Sequence, residues 1–228
     1  DGDIGPSHYF AMVNNSFQIF NRAGTSLYGP AGSTTIWDGW AGYYGQSISD
    51  PIVLYDEQAD RWFASVMTTS TYGGLYYILC AVSTTSSPTG TWYRYAWSFS
   101  SLPDYPKYGI WPDGYYLGLN RTGDDVLVLE RSVMLTGGSA DMVSFDNPGK
   151  PVPNNTTFNC VLPSDCDGTF PPYGTPNYFW AIGDDAWAAY SYDRLLVWEF
   201  HVDWATPSNS TWTGPTAIAT AAFDATFN

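Results

Sequence analysis

Basic residues are scarce in this chain: 8 Lys and Arg stand against 22 Asp and Glu, for a net charge of −14. A nucleic-acid partner is not expected, because phosphate neutralisation needs clustered cations that this composition does not supply. Anionic membrane surfaces are disfavoured on the same ground. No apolar run approaches the roughly 20 residues that a helix needs to cross a bilayer, so no membrane span is expected. Histidine is limited to His8 and His201, and no Gly-x-Ser-x-Gly elbow occurs. A Ser-His-Asp nucleophile therefore has little to build on. Cysteine is limited to three residues. Cys160 and Cys166 sit close together in a stretch rich in Pro, Asp and Gly, and a small disulfide between them is expected if the protein is secreted. Cys80, inside the apolar run Tyr76-Tyr77-Ile78-Leu79-Cys80-Ala81-Val82, reads as an inert core residue. The spacing matches no zinc pattern. The chain opens on Asp1 with no signal-like segment, as a mature or trimmed product would.

What the chain has in quantity is aromatic side chains, 18% of residues, within a hydrophobic total of 44%. A disordered chain does not carry that load, so a folded domain with a real core is expected. Apolar residues alternate with a period of two, and no stretch holds a period of 3.6 over three turns. The segment Asp104-Tyr105-Pro106-Lys107-Tyr108-Gly109-Ile110-Trp111-Pro112-Asp113-Gly114-Tyr115-Tyr116 reads as strand, tight turn and aromatic strand. A similar hairpin precedes it, from Asp50-Pro51 through a polar turn at residues 57–60 into Arg61-Trp62-Phe63. Two later hairpins also match: Ser87-Pro88-Thr89-Gly90-Thr91-Trp92 and Thr206-Pro207-Ser208-Asn209-Ser210-Thr211-Trp212. A four-stranded antiparallel unit recurring at about 50 residues is the signature of a propeller blade. The expected fold is therefore all-β and β-propeller-like, one domain over residues 1–228. Its four blade-like repeats fall near residues 8–36, 50–99, 104–146 and 160–222. A β-sandwich or jelly roll is the competing architecture. The first group lacks an obvious first strand, and the tail at residues 217–227 is the expected source of one. An incomplete ring would expose apolar end faces and strand edges, which invites self-association or completion by a second or missing chain.

The stretches Asp50 to Trp62, Ser87 to Tyr95 and Asp104 to Tyr116, with Pro176-Asn177-Tyr178-Phe179 and Phe200-His201-Val202-Asp203-Trp204, resemble a group of large secreted microbial proteins. These are sialidase-like β-propellers, mostly uncharacterised, and the chain resembles their amino-terminal half. The resemblance covers nearly the whole chain and implies a propeller fold and secretion. A sialidase would need an arginine cluster and a tyrosine nucleophile assisted by an acid. The six arginines form no such sequence cluster, and Pro88 stands where an Asp-box would place its Asp. Arg61 and Arg194 each follow an Asp at a hairpin start, which suggests structural ion pairs.

Several residues are candidates for function. Propeller glycosidases use carboxylates from successive blades, for which Asp50, Asp104 and Glu130 qualify. Against this, an Asp before Pro often caps a turn, and Glu130 can pair with Arg131 or face solvent. Trp37, Trp40, Tyr43 and Tyr44 lie in a Gly-rich connection where rings could stack on glycans or instead plug the space between blades. No cofactor is expected beyond a Ca²⁺ ion, for which Asp165 and Asp167, Asp1 and Asp3, and Asp184 and Asp185 offer loop oxygens. Sequons at Asn14, Asn120, Asn154, Asn155 and Asn209 offer glycosylation sites. The expected function is that of a secreted, extracellular or cell-surface glycoprotein, non-catalytic, acting by self-association or by glycan or protein binding. The alternative is a propeller-type glycoside hydrolase or other polysaccharide-processing enzyme.

Overall fold

The computed structural model describes residues 1–40, 42, 47–149, 160–187 and 189–225. Their architecture is all-β and β-propeller-like, built from four four-stranded antiparallel sheets in chain order. Sheet 1 holds β1 (Gly2–Ile4), β2 (His8–Val13), β3 (Ser16–Asn21) and β4 (Ser26–Gly32). Sheet 2 holds β5 (Ile48–Asp56), β6 (Arg61–Thr68), β7 (Tyr76–Ser83) and β8 (Trp92–Phe99). Sheet 3 holds β9 (Asp104–Ile110), β10 (Tyr115–Asn120), β11 (Asp124–Leu129) and β12 (Met142–Asp146). Sheet 4 holds β13 (Leu162–Pro163), β14 (Asn177–Gly183), β15 (Arg194–His201) and β16 (Thr211–Ala219). Each sheet is a simple meander, as a blade requires. The chain divides into two compact units, Asp1–Pro106 with Arg131–Ala140, and Lys107–Glu130 with Asp141–Asn228.

In the first unit, sheets 1 and 2 share one core. Strand pleating sends alternate residues to opposite faces, so Phe10 and Met12 of β2 and Phe17 and Ile19 of β3 meet Val53, Trp62, Ala64 and Val66 of sheet 2. At about 1.5–3 kcal/mol for each large apolar side chain buried, this layer dominates the unit's stability. The intervening residues of β6 (Phe63, Ser65 and Met67) are buried as well, so sheet 2 is covered on both faces. Cys80 lies on β7 with no exposure, its Sγ 3.6 Å from Ser65 Oγ, as its apolar surroundings suggested.

The first strand of sheet 1 comes from residues 2–4 and not from the tail. Gly2–Ile4 pairs with β2 in the register Gly2 to Ala11 and Ile4 to Tyr9. The Asp1 amino group donates to the Met12 carbonyl at 2.8 Å. On β5, the Val53 and Tyr55 amides donate to the Asp1 and Asp3 carboxylates at 3.1 and 2.7 Å. A three-residue strand, flanked by Asp1 and holding Asp3, carries too little periodicity to read from the sequence. Those two acids are occupied by backbone amides of the neighbouring sheet.

A buried ion pair fixes the one-turn helix α1 (Arg131–Met134) in this unit. Arg131 Nε and Nη2 donate to Asp56 Oδ2 and Oδ1 at 2.6 and 2.7 Å, and the Ala59 amide donates to Oδ1 at 3.1 Å. Asp56 is wholly buried, and removing one partner of such a pair costs about 3–5 kcal/mol by stranding the other charge.

In the second unit, Tyr116, Val126 and Val128 of sheet 3 pack on Phe179, Trp198 and Phe200 of sheet 4. The Pro112-Asp113-Gly114 reversal is present, with Trp111 and Gly114 exchanging backbone hydrogen bonds at 3.0 and 3.4 Å. Its Asp113 also anchors the core: Oδ1 accepts from the Tyr116 hydroxyl at 3.0 Å and the carbonyl accepts from Trp204 Nε1 at 2.7 Å. The β13 segment rides directly over two glycines of sheet 3. A Cβ at Gly109 would stand 2.2 Å from the Ser164 carbonyl oxygen, and one at Gly118 would stand 2.0 Å from that of Val161, so no side chain fits. The tail belongs to this unit: Thr220, Phe223 and Ala225 donate amides to the Asp193 carbonyl, Asp193 Oδ2 and Asp184 Oδ2 at 3.1, 2.7 and 2.7 Å.

Candidate functional site

Of the three carboxylates that the alternative, enzymatic reading would use, Asp50 and Glu130 are engaged in local hydrogen bonds. Asp50 sits at φ 49° before Pro51 in β5, its Oδ1 accepting from Ser49 Oγ at 2.7 Å and its amide donating to Asn14 Oδ1 at 3.2 Å. The residue with the same left-handed backbone before a proline in β9 is Tyr105, at φ 53°. The two inner strands therefore align Asp50 with Tyr105, one position beyond Asp104, and the hairpin openings are not equivalent at their acids. Glu130 follows β11 rather than lying in it, and its Oε2 accepts from the Asp141 amide at 3.1 Å across the hairpin neck. Arg131 pairs with Asp56 instead of Glu130.

The other polar expectations are redirected in the same way. Arg61 donates to the Ala59 and Asp60 carbonyls, and Arg194 stacks its guanidinium 3.7 Å from the Tyr192 ring centroid. Neither forms an ion pair among the described residues. The expected Cys160–Cys166 disulfide is not formed. Cys166 is held to β9 through its amide on the Ile110 carbonyl at 3.1 Å, whereas the Cys160 sulfur lies 3.3 Å from where a Gly118 Cβ would stand on β10. The two are anchored to different strands of sheet 3, and no disulfide joins them. Asp165 accepts from the Ile110 amide at 2.6 Å. The acids that do converge are Asp184, Asp185 and Asp193, with carboxylate oxygens within 4.8 Å of one another. Four oxygens of Asp184 and Asp193 accept from the Ala186, Ala225, Asp185 and Phe223 amides, so this cluster clasps backbone. Asp193, eight residues beyond Asp185, carried no spacing signal. Of the sequons, Asn14 and Asn209 are exposed and Asn120 is half-buried at the end of β10. Asn154 and Asn155 lie outside the described residues, as do Tyr43 and Tyr44.

Trp37 and Trp40 separate into different roles. Trp37 is completely buried in the first unit's core and is a plug. Trp40 is half-buried beneath Arg94, whose guanidinium carbon stands 5.6 Å from the indole centroid. Arg94 also donates to the Asp38 carbonyl at 2.9 Å. It separates two open hollows of about 310 and 360 Å³. The first lies over Phe17, Tyr28 and Trp92, with Asp38 and Thr91 at its polar side. The second lies over Trp40, Tyr93, Tyr95 and Trp97 of the β8 edge and the glycines 137 and 138. Tyr95 and Trp97 stack at 5.7 Å and 19°. The Tyr95 hydroxyl donates to the Met134 carbonyl at 3.1 Å, and burial, followed by the nearby Tyr93, raises its pKa. The phenol is therefore neutral throughout the physiological range.

A second feature is the outer face of each terminal sheet. On β14, Asn177, Phe179, Ala181 and Gly183 point into the core while Tyr178, Trp180 and Ile182 alternate outward, each 39% exposed. The register places Val197 beside Trp180 and Leu195 beside Ile182, with Ile218 next to Leu195, while Tyr178 faces Glu199 at the other end of the strand. Sheet 1 repeats the arrangement in the other unit. Ile4, Tyr9 and Val13 are exposed, and Tyr9 stacks on Phe20 at 6.2 Å. One of the two edge strands beside each of these faces is interrupted. Both β4 and β16 carry a cis Gly-Pro bond, at Gly29-Pro30 and Gly214-Pro215, opposite a register shift in the partner strand. A proline offers no amide to an added strand, so edge-to-edge pairing is obstructed while the sheet faces stay open.

No family model matches the chain, and no curated protein or solved structure matches it either.

Proposed function

We propose that this chain is a secreted, non-catalytic β-propeller-like protein that works by association, the open faces of its terminal sheets meeting the faces of other blade-like sheets. The observation that carries this reading is β14, whose outward residues Tyr178, Trp180 and Ile182 are as apolar as its buried ones. Exposed apolar side chains gathered on one sheet face suit a contact surface. Blunted edges at Pro30 and Pro215 channel contact to the faces and away from strand addition. Extracellular placement is supported by the resemblance to secreted microbial propellers, by the net charge of −14, and by sequons at exposed Asn14 and Asn209. Engagement of Asp50 and Glu130 in local hydrogen bonds gives no support to a glycosidase.

Sedimentation velocity of the purified chain over a wide concentration range tests the proposal. Reversible association is expected, weakened by Trp180→Lys with the fold intact by circular dichroism. A wild-type chain that sediments as a monomer at every concentration would overturn it.

A further inference from the structure

We infer that the paired hollows on either side of Arg94 form a binding site for a neutral oligosaccharide. The inference stands on residues other than those of the sheet faces. Aromatic faces complement the apolar faces of pyranose rings, and Tyr28, Trp92 and Trp97 offer such surfaces in the two hollows. Hydroxyl groups need both donors and acceptors, and these alternate along the site: Asp38 and Thr91 in the first hollow, the Arg94 guanidinium between, and Ser139 in the second.

Arg94 is preorganised for this role. Its stem leaves an edge strand, its Nη1 is tied to the Asp38 carbonyl, and its plane lies over Trp40, so little rotamer freedom remains to be lost on binding. Both hollows open to solvent, and each has the volume of a small-ligand site at the lower end of the usual range, about 300 Å³. Two such hollows flanking one side chain suit a chain of sugar rings bridging Arg94 better than a single compact molecule.

Charge selects the neutral class. The exposed carboxylate of Asp38 lines the first hollow, and a protein of net charge −14 repels a polyanion at a distance. A lone arginine already spent on a carbonyl does not offset that field. A proline-rich peptide is the other ligand that aromatic grooves take, but it brings fewer donors to the Asp38 side of the first hollow than the hydroxyls of a sugar ring do.

Calorimetric titration of the intact chain with cellohexaose, xylohexaose, mannohexaose, maltohexaose and chitohexaose decides the matter, with oligogalacturonate and a decaproline peptide run alongside. At least one neutral hexasaccharide is expected to bind saturably. Arg94→Ala and Tyr28→Ala are each expected to weaken it roughly tenfold or more, as for central contacts in a recognition site. Tyr28 sits on an exposed strand, so its variant reports even if Arg94→Ala does not fold. Trp180→Lys is expected to leave the affinity unchanged. The inference is overturned if no neutral hexasaccharide binds, if only oligogalacturonate or the peptide binds, or if the two cleft variants bind as the wild type does.

Discussion

Strands β6 and β14 are equally apolar and differently buried. Every residue of β6 from Trp62 to Thr68 is buried, whereas β14 alternates between buried and exposed along its length. Trp62 and Trp180 occupy comparable strands, yet one has no exposure and the other is 39% exposed. A blade strand is written for two neighbouring surfaces. In sheet 2 both faces are buried and in sheet 4 one is, so the outward half of β14 is apolar and part-exposed among the described residues. Sheet 1 teaches the same lesson with Ile4, Tyr9 and Val13.

The comparison is broken most severely from the inside. Phe179→Ala removes a fully buried ring of the second core and is expected to cost about 3–5 kcal/mol. Its neighbour Trp180→Lys is expected to stay within about 0.5 kcal/mol of wild type, because its side chain already meets water. Urea denaturation of the two variants checks this, and equal losses would mean that the outer face is packed after all.

A smaller effect is expected at the β15–β16 connection. Asp203 is held below the usual carboxylate range, first by the Thr206 amide, against the opposing effect of desolvation, with the Asn209 side chain adding to the lowering. Its depressed folded pKa means that its contribution is complete above the unfolded value of about 3.9. That contribution disappears as pH falls through the folded value. Protection of the Thr206 amide relative to its intrinsic exchange rate is therefore expected to fall below about pH 4 in wild type and to be low at every pH, without that step, in Asp203→Ala.

Much of this arrangement was legible in the sequence. Period-two alternation and the recurring hairpins marked the four sheets, including the Ser87 to Trp92 and Thr206 to Trp212 pair, which both close the last hairpin of a sheet. What escaped was set by contacts distant in the chain. β1 is three residues long and is recognisable only through its ladder to β2 and its acids on β5. Asp56 and Arg131 are 75 positions apart, and nothing local announces their pairing. Aspartates read as ion ligands became backbone anchors, since spacing shows where oxygens are and not which amides reach them. The Gly-rich connection pointed to Trp40 but not to Arg94, which joins it from β8.

The central claim is that the outward side chains of the terminal sheets are contact surfaces. Hydroxyl-radical labelling read residue by residue in dilute and concentrated protein measures it most directly. The account predicts that Tyr178, Trp180, Ile182 and Ile218 become protected on concentration while Tyr173, exposed elsewhere in the same unit, keeps its reactivity. Identical labelling of all five at both concentrations would contradict it.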